Sequence, residues 1–126
     1  MPKWIQLLLL LGTFSSLALN ARAEQITFAN ELAACVTIKT ITTSTASNMV
    51  VASTNIQLRK SIGECGCLSA LAVYISSVDR GGVQQILQEG LIRLDSDGEK
   101  NLVLATEPRL LENKAVQVRL VCAPPL

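Results

Sequence analysis

The sequence predicts an all-β protein, an antiparallel immunoglobulin-like β-sandwich of about seven strands. Three observations lead there. After residue 23, β-branched residues gather in short runs with period-two alternation. Turn signals separate these runs every ten or so residues. Long stretches of helical periodicity are missing. Trp4 stands too early to be a core tryptophan, so a true immunoglobulin domain is not implied.

The first segment reads as a secretory leader. Lys3 supplies its positive start, and Ile5 to Leu19 forms an apolar stretch around Leu7–Leu11. Ala21-Arg22-Ala23 is a small-x-small site, which places cleavage after Ala23. The apolar stretch falls short of the roughly 18 residues that argue for a membrane span, and Gly12, Ser15 and Ser16 interrupt it. Residues 24–126 then make a single β-sandwich domain of about a hundred residues, enough for one modest core. The expected location is the periplasm or the exterior, with no membrane span left after cleavage.

The strands follow in order. Between Glu24 and Ala34, Ile26 and Phe28 alternate with polar neighbours. This is either a first edge strand or a flexible tail with which a partner could pair. Cys35 to Thr43 reads as a strand with Val36 and Ile38 on one face, and Ser44 to Asn48 as a polar turn. Val50, Ala52, Ile56 and Leu58 alternate with Ser53, Asn55, Gln57 and Arg59, giving a half-buried strand that Ser61-Ile62-Gly63 ends. Cys67 to Val78 is expected as the next strand, with Leu71, Val73 and Ile75 on one face and Ala70, Ala72 and Tyr74 on the other. Asp79-Arg80-Gly81-Gly82 is a turn. Residues 83–88 fit a strand or one turn of helix, and Gly90 would suit a bulge. Leu91–Leu94 and Leu102–Leu104 suggest a hairpin around Asp97-Gly98. Pro108 to Lys114 is a loop. Ala115 to Val121 is the clearest strand, with Val116, Val118 and Leu120 facing one way and Cys122 continuing that face. Pro124 and Pro125 cannot extend a central strand, because proline lacks the N–H donor.

Composition excludes several chemistries. The chain has no histidine, so a Ser-His-Asp triad, a Cys-His dyad and a His-ligated metal are ruled out. Removing the leader takes Lys3 and Arg22 and leaves nine basic against ten acidic residues, with no block of like charge. Attraction to nucleic acid or to an anionic membrane surface therefore has no basis. Beyond the leader, Phe28 and Tyr74 are the aromatic residues, too few for a base- or sugar-stacking platform.

Chemistry, if any, rests on Cys35, Cys65, Cys67 and Cys122, and on the motif Gly63-Glu64-Cys65-Gly66-Cys67 in particular. Four cysteines in a secreted domain read first as two disulfides, with three connectivities open. Each bridge contributes about 2–4 kcal/mol. A bond between Cys65 and Cys67 would need a bent backbone. In an extended strand their Cβ atoms lie about 6.6 Å apart, whereas a disulfide wants about 3.5–4.5 Å. Gly66 permits the bend, and the strained result would be a labile bridge suited to thiol–disulfide exchange, with Cys65 and Cys67 catalytic. The alternative is that each anchors its own staple. Cys67, on the expected Leu71/Val73 face, and Cys122, on the Val118/Leu120 face, would then pair across the core. Cys35 would take Cys65. Parity favours this pairing over its swap by little. A thiolate metal clip is a third reading, disfavoured by an oxidising compartment.

Other candidates are weaker. Asp95, Asp97 and Glu99 alternate around Gly98, but EF-hand spacing is not met and a solvated turn explains them. Arg59 and Lys60 read as a charged strand end that discourages edge pairing. The Ser/Thr-rich stretch Thr40–Ser47 has no activating base and reads as an exposed strand and turn. No cofactor is expected.

The leader, "CVTI", "CGCLSA" and the closing "VRLVCAPP" together resemble a family of small secreted bacterial proteins of unknown function, over most of the chain after the leader. A second likeness is to the periplasmic curli-assembly factor, in which a CxC motif opens a strand of an immunoglobulin-like sandwich. That resemblance implies a fold akin to thiol oxidoreductases and a role in restraining premature fibre assembly. Here Cys35 and Cys122 stand as further partners, a departure that speaks against a free CxC. The expectation is a disulfide-stapled interaction module, an accessory in envelope or surface-fibre assembly, meeting a protein partner through an edge strand. The rival is thiol–disulfide exchange at Cys65 and Cys67.

Overall fold

The computed structural model describes residues 25–125. The expected leader and its cleavage point lie outside them. The described residues form seven strands: β1 (Gln25–Asn30), β2 (Val36–Ala46), β3 (Met49–Leu58), β4 (Leu71–Arg80), β5 (Val83–Arg93), β6 (Gly98–Ala105) and β7 (Ala115–Cys122). One sheet runs β1-β7-β4-β5 and the other β2-β3-β6. The two pack as a sandwich. One inward face is built from Val116, Val118 and Leu120 of β7 with Ala72, Tyr74 and Val78 of β4. Val36, Val50, Ala52, Ile56, Leu102 and Leu104 of the second sheet meet it.

Alternation accounts for β3 and β7, whose inward residues are buried every second position. The hairpin turns follow from residues that tolerate positive φ. Ser47 and Asn48 join β2 to β3 at φ 51° and 66°, a two-residue connection shorter than the five-residue turn expected, because both strands run on to its edges. Gly81 and Gly82 join β4 to β5 at φ 59° and 90°. There Asp79 Oδ1 accepts from the Gly82 N–H at 2.8 Å.

Several expectations need correction. The sandwich is not wholly antiparallel: β1 runs parallel to β7, with Ile26 opposite Val116 and Phe28 opposite Val118. β4 begins at Leu71, and Cys67 precedes it. The buried face of β4 is the Ala72/Tyr74 face, while Leu71, Val73 and Ile75 lie half-buried on the outside. Residues 83–88 are strand. The β4–β5 register shifts between Ser76 and Ser77, which skips Leu87, so the bulge is not at Gly90. β5 and β6 form no hairpin, since β5 pairs with β4 and β6 with β3. The Asp-Gly step instead crosses between sheets, where Asp97 Oδ1 accepts from the Leu58 N–H at 2.7 Å.

Gly90 has another purpose. It sits opposite Tyr74, and a Cβ there would lie 2.5 Å from Tyr74 Cε1. The ring lies over the glycine, and its hydroxyl reaches the other sheet. Tyr74 Oη donates to the Val103 carbonyl and accepts from the Val103 N–H, both at 3.0 Å. It thereby engages both backbone groups of Val103 in β6.

Gly90→Ala is expected to force the ring aside and destabilise the fold by about 1–3 kcal/mol, measured by denaturant unfolding. Tyr74 also makes a pH prediction. Burial pushes its phenol above the usual 10.0, and the Val103 hydrogen bond only partly offsets this. The fold therefore prefers the neutral form. Its contribution is complete below about pH 10 and is lost as pH rises through the raised folded value. Tyrosinate absorbance should show a titration midpoint above that of the denatured chain, and Tyr74→Phe should remove this part of the alkaline loss of stability.

Candidate functional site

The GECGC motif lies in the connection between β3 and β4. Ile62–Cys65 is a 3-10 turn, opened by Ser61, whose hydroxyl accepts from the Gly63 N–H at 3.2 Å. Ile62 is buried beneath it. The turn closes on Gly66, at φ +96°, where L side chains are strained. That left-handed step sends the two cysteines to different partners. Cys65 is bonded to Cys35 with Cα atoms 6.3 Å apart. Cys67 is bonded to Cys122 with Cα atoms 5.1 Å apart. Among the described residues no cysteine is free.

Cys35 immediately precedes β2, and Cys122 ends β7. The three residues Cys65-Gly66-Cys67 therefore tie one sheet to the other. The backbone reinforces the corner: the N–H groups of Arg59 and Lys60 both donate to the Cys35 carbonyl, at 2.7 and 3.3 Å, and Cys67 N–H donates to Ile62 at 3.2 Å. The face assignment used to pair Cys67 is not the one observed, because Cys67 lies outside β4. Proximity across the β4–β7 ladder, where Ala72 faces Cys122, brings the two together.

The acidic trio is dispersed over separate duties. Asp95 pairs with Arg93 at 3.2 Å, Asp97 holds the Leu58 N–H, and Glu99 Oε1 accepts from the Ser53 hydroxyl at 3.3 Å. No cluster able to hold a metal occurs among the described residues. Arg59 and Lys60 are exposed just past β3. Thr40–Ala46 belongs to β2, an edge strand.

One surface was missed by sequence reasoning. An apolar groove of about 510 Å³ lies on the outer face of the four-stranded sheet, lined by Leu68, Leu71, Val73, Leu91, Pro124 and Pro125 among others. Its signal was present in "LSALAV", where both alternate faces are apolar. Leu91 is 62% exposed and belongs to β5, the free edge of that sheet. Val83 and Ile86 extend the apolar character along the same strand at 68% and 57% exposure. β5 carries neither lysine nor proline, and its edge is interrupted by Glu89, Arg93 and the bulge at Leu87.

A profile of bacterial proteins, described as "Uncharacterized protein conserved in bacteria (DUF2195)", matches residues 9–125. No curated protein and no solved structure matches, the curli-assembly factor included. Two disulfides are consistent with an extracellular or periplasmic setting. No helix among the described residues is long and apolar enough to cross a membrane.

The bridges span 30 and 55 residues of sequence. In the chain-entropy account the longer loop stabilises more, by about 0.5 kcal/mol for that ratio. Replacing Cys67 and Cys122 with alanine should cost slightly more than replacing Cys35 and Cys65, each loss being about 2–5 kcal/mol in denaturant unfolding.

Proposed function

The chain belongs to the DUF2195 family, and we propose that it is a non-enzymatic interaction module acting outside the cytoplasm. In this reading its leader is removed after Ala23 and the domain works as an accessory in envelope or surface-fibre assembly. It holds an extended segment of a partner protein along β5, without a cofactor. The observation that carries this is the joining of a free edge to an apolar groove through Leu91. Backbone groups of an edge strand supply affinity to any extended chain, and an adjoining pocket selects its side chains. The cysteines serve as staples in this reading, since each member of the CxC is bonded to a distant partner.

The test is a photo-crosslinking residue placed at Val83 or Leu91 of the exported protein in its own bacterium, with Thr45 on β2 as control. Adducts with a partner should form at Val83 and Leu91 and be scarce at Thr45. Ile86→Lys should weaken them about tenfold or more, because a lysine head would be desolvated against the incoming strand. Ile86 is exposed, so folding stability should change by only about 0.5 kcal/mol. Equal adduct yield at all three positions, or adducts indifferent to Ile86→Lys, would remove the β5 reading.

A further inference from the structure

The opposite edge of the same sheet has a different construction. Cys35 and Cys122 bracket the block β2–β7, and both are bonded to the Cys65-Gly66-Cys67 corner. The two ends of that block are thus covalently joined through three residues. β1 alone among the described strands lies outside the bracket. Its pairing with β7 is the one parallel pair among the described strands, and β7 is its single neighbour in the sheet. We infer that β1 is an exchangeable strand, able to leave β7 of its own chain and to occupy β7 of a second copy of this protein.

The seat of β1 shows why a second copy is the fitting occupant. Ile26 and Phe28 are half-buried and point toward the core, opposite Val116 and Val118. If β1 departs, β7 is left with unpaired backbone groups and uncovered apolar side chains. That site already fits the sequence QITFAN in a six-residue register. The same strand from another copy restores every one of these contacts, so exchange conserves the native pairing energy and differs mainly in the cost of association.

The remaining ties of β1 and its tether gather at Asn30 and Glu31 and reach β2 and β7. Asn30 Nδ2 donates to the Val36 carbonyl at 2.8 Å, and Asn30 Oδ1 accepts from the Leu32 N–H at 2.8 Å. Glu31 N–H donates to Leu120 at 3.0 Å, and the exposed Glu31–Arg119 ion pair adds little. Beyond them, buried Leu32 and bonded Cys35 anchor the base of the tether. Opening at residues 30–31 breaks the Asn30–Val36 contact but leaves both bridges intact. In one chain the short tether favours return of β1 to its own β7, and high protein concentration favours exchange. This inference is independent of partner capture at β5.

Thr27 and Gln117 are exposed and stand opposite each other in the parallel register. Single variants Thr27→Cys and Gln117→Cys, mixed at high concentration and then oxidised, should give the disulfide-linked Thr27→Cys/Gln117→Cys heterodimer several-fold in excess over either homodimer. The double variant on one chain should lock as a monomer. Deleting Ala33 and Ala34, which are exposed in the tether, should prevent β1 from reaching its own β7 and move the protein from monomer to dimer on size-exclusion chromatography. Heterodimer in no excess over the homodimers, or monomer throughout the mixing, would overturn the inference. So would a tether-shortened variant that folds and stays monomeric.

Discussion

Everything in this domain hangs from a corner of three residues. Cys65 reaches back to the start of β2, and Cys67 reaches forward to the end of β7. Because β2 and β7 belong to different sheets, the corner is a covalent bridge across the sandwich. Gly66 makes this feasible by turning the chain through a left-handed conformation between the two sulfurs. A small domain buries a limited share of its surface, so constraining its unfolded chain at two points is a large fraction of its stability. In this structure the two members of the CxC motif are bonded not to each other but to cysteines at opposite ends of the block β2–β7.

Away from that corner the sheets are held by packing and by Tyr74. The ring fills the space above Gly90, and the hydroxyl reaches Val103 on the other sheet. A tyrosine is well suited here, because its apolar ring belongs in the core while its polar tip pairs backbone of the other sheet. The raised phenol pKa has the same origin, since desolvation of the ring outweighs the hydrogen bond.

The strands were legible wherever one face met water and the other did not. β3 and β7 have that character, and their inward residues follow from alternation alone. β4 does not, because Leu71 and Val73 are apolar on its outer side. An alternating pattern with two apolar faces cannot tell core from surface, and the buried face is the one with the smaller residue Ala72 and with Tyr74. The same ambiguity was the trace of the groove. Asp97-Gly98 misled for another reason. Local turn chemistry marks a break there, but the aspartate serves the Leu58 N–H across strands and the chain changes sheets. Local propensity names a break without naming the next neighbour. The parallel β1–β7 pairing joins the two ends of the described chain, a non-local relation that spacing cannot reveal.

The distribution of staples also explains how the domain keeps open edges without losing its fold. Free edges are sites of unwanted pairing, and small β proteins often cover or charge them. Here β5 is long, apolar in places and uncovered, while β1 is held to the sheet by one ladder and two half-buried side chains. If the core alone held the sandwich, strain or pairing at either edge would propagate through the sheet. The two bridges fix β2 and β7 to one corner, away from both edges of the four-stranded sheet. Both bridges lie between Cys35 and Cys122, and β1 and β5 form the margins of the four-stranded sheet. The covalent ties and the open edges thus fall on different parts of the domain.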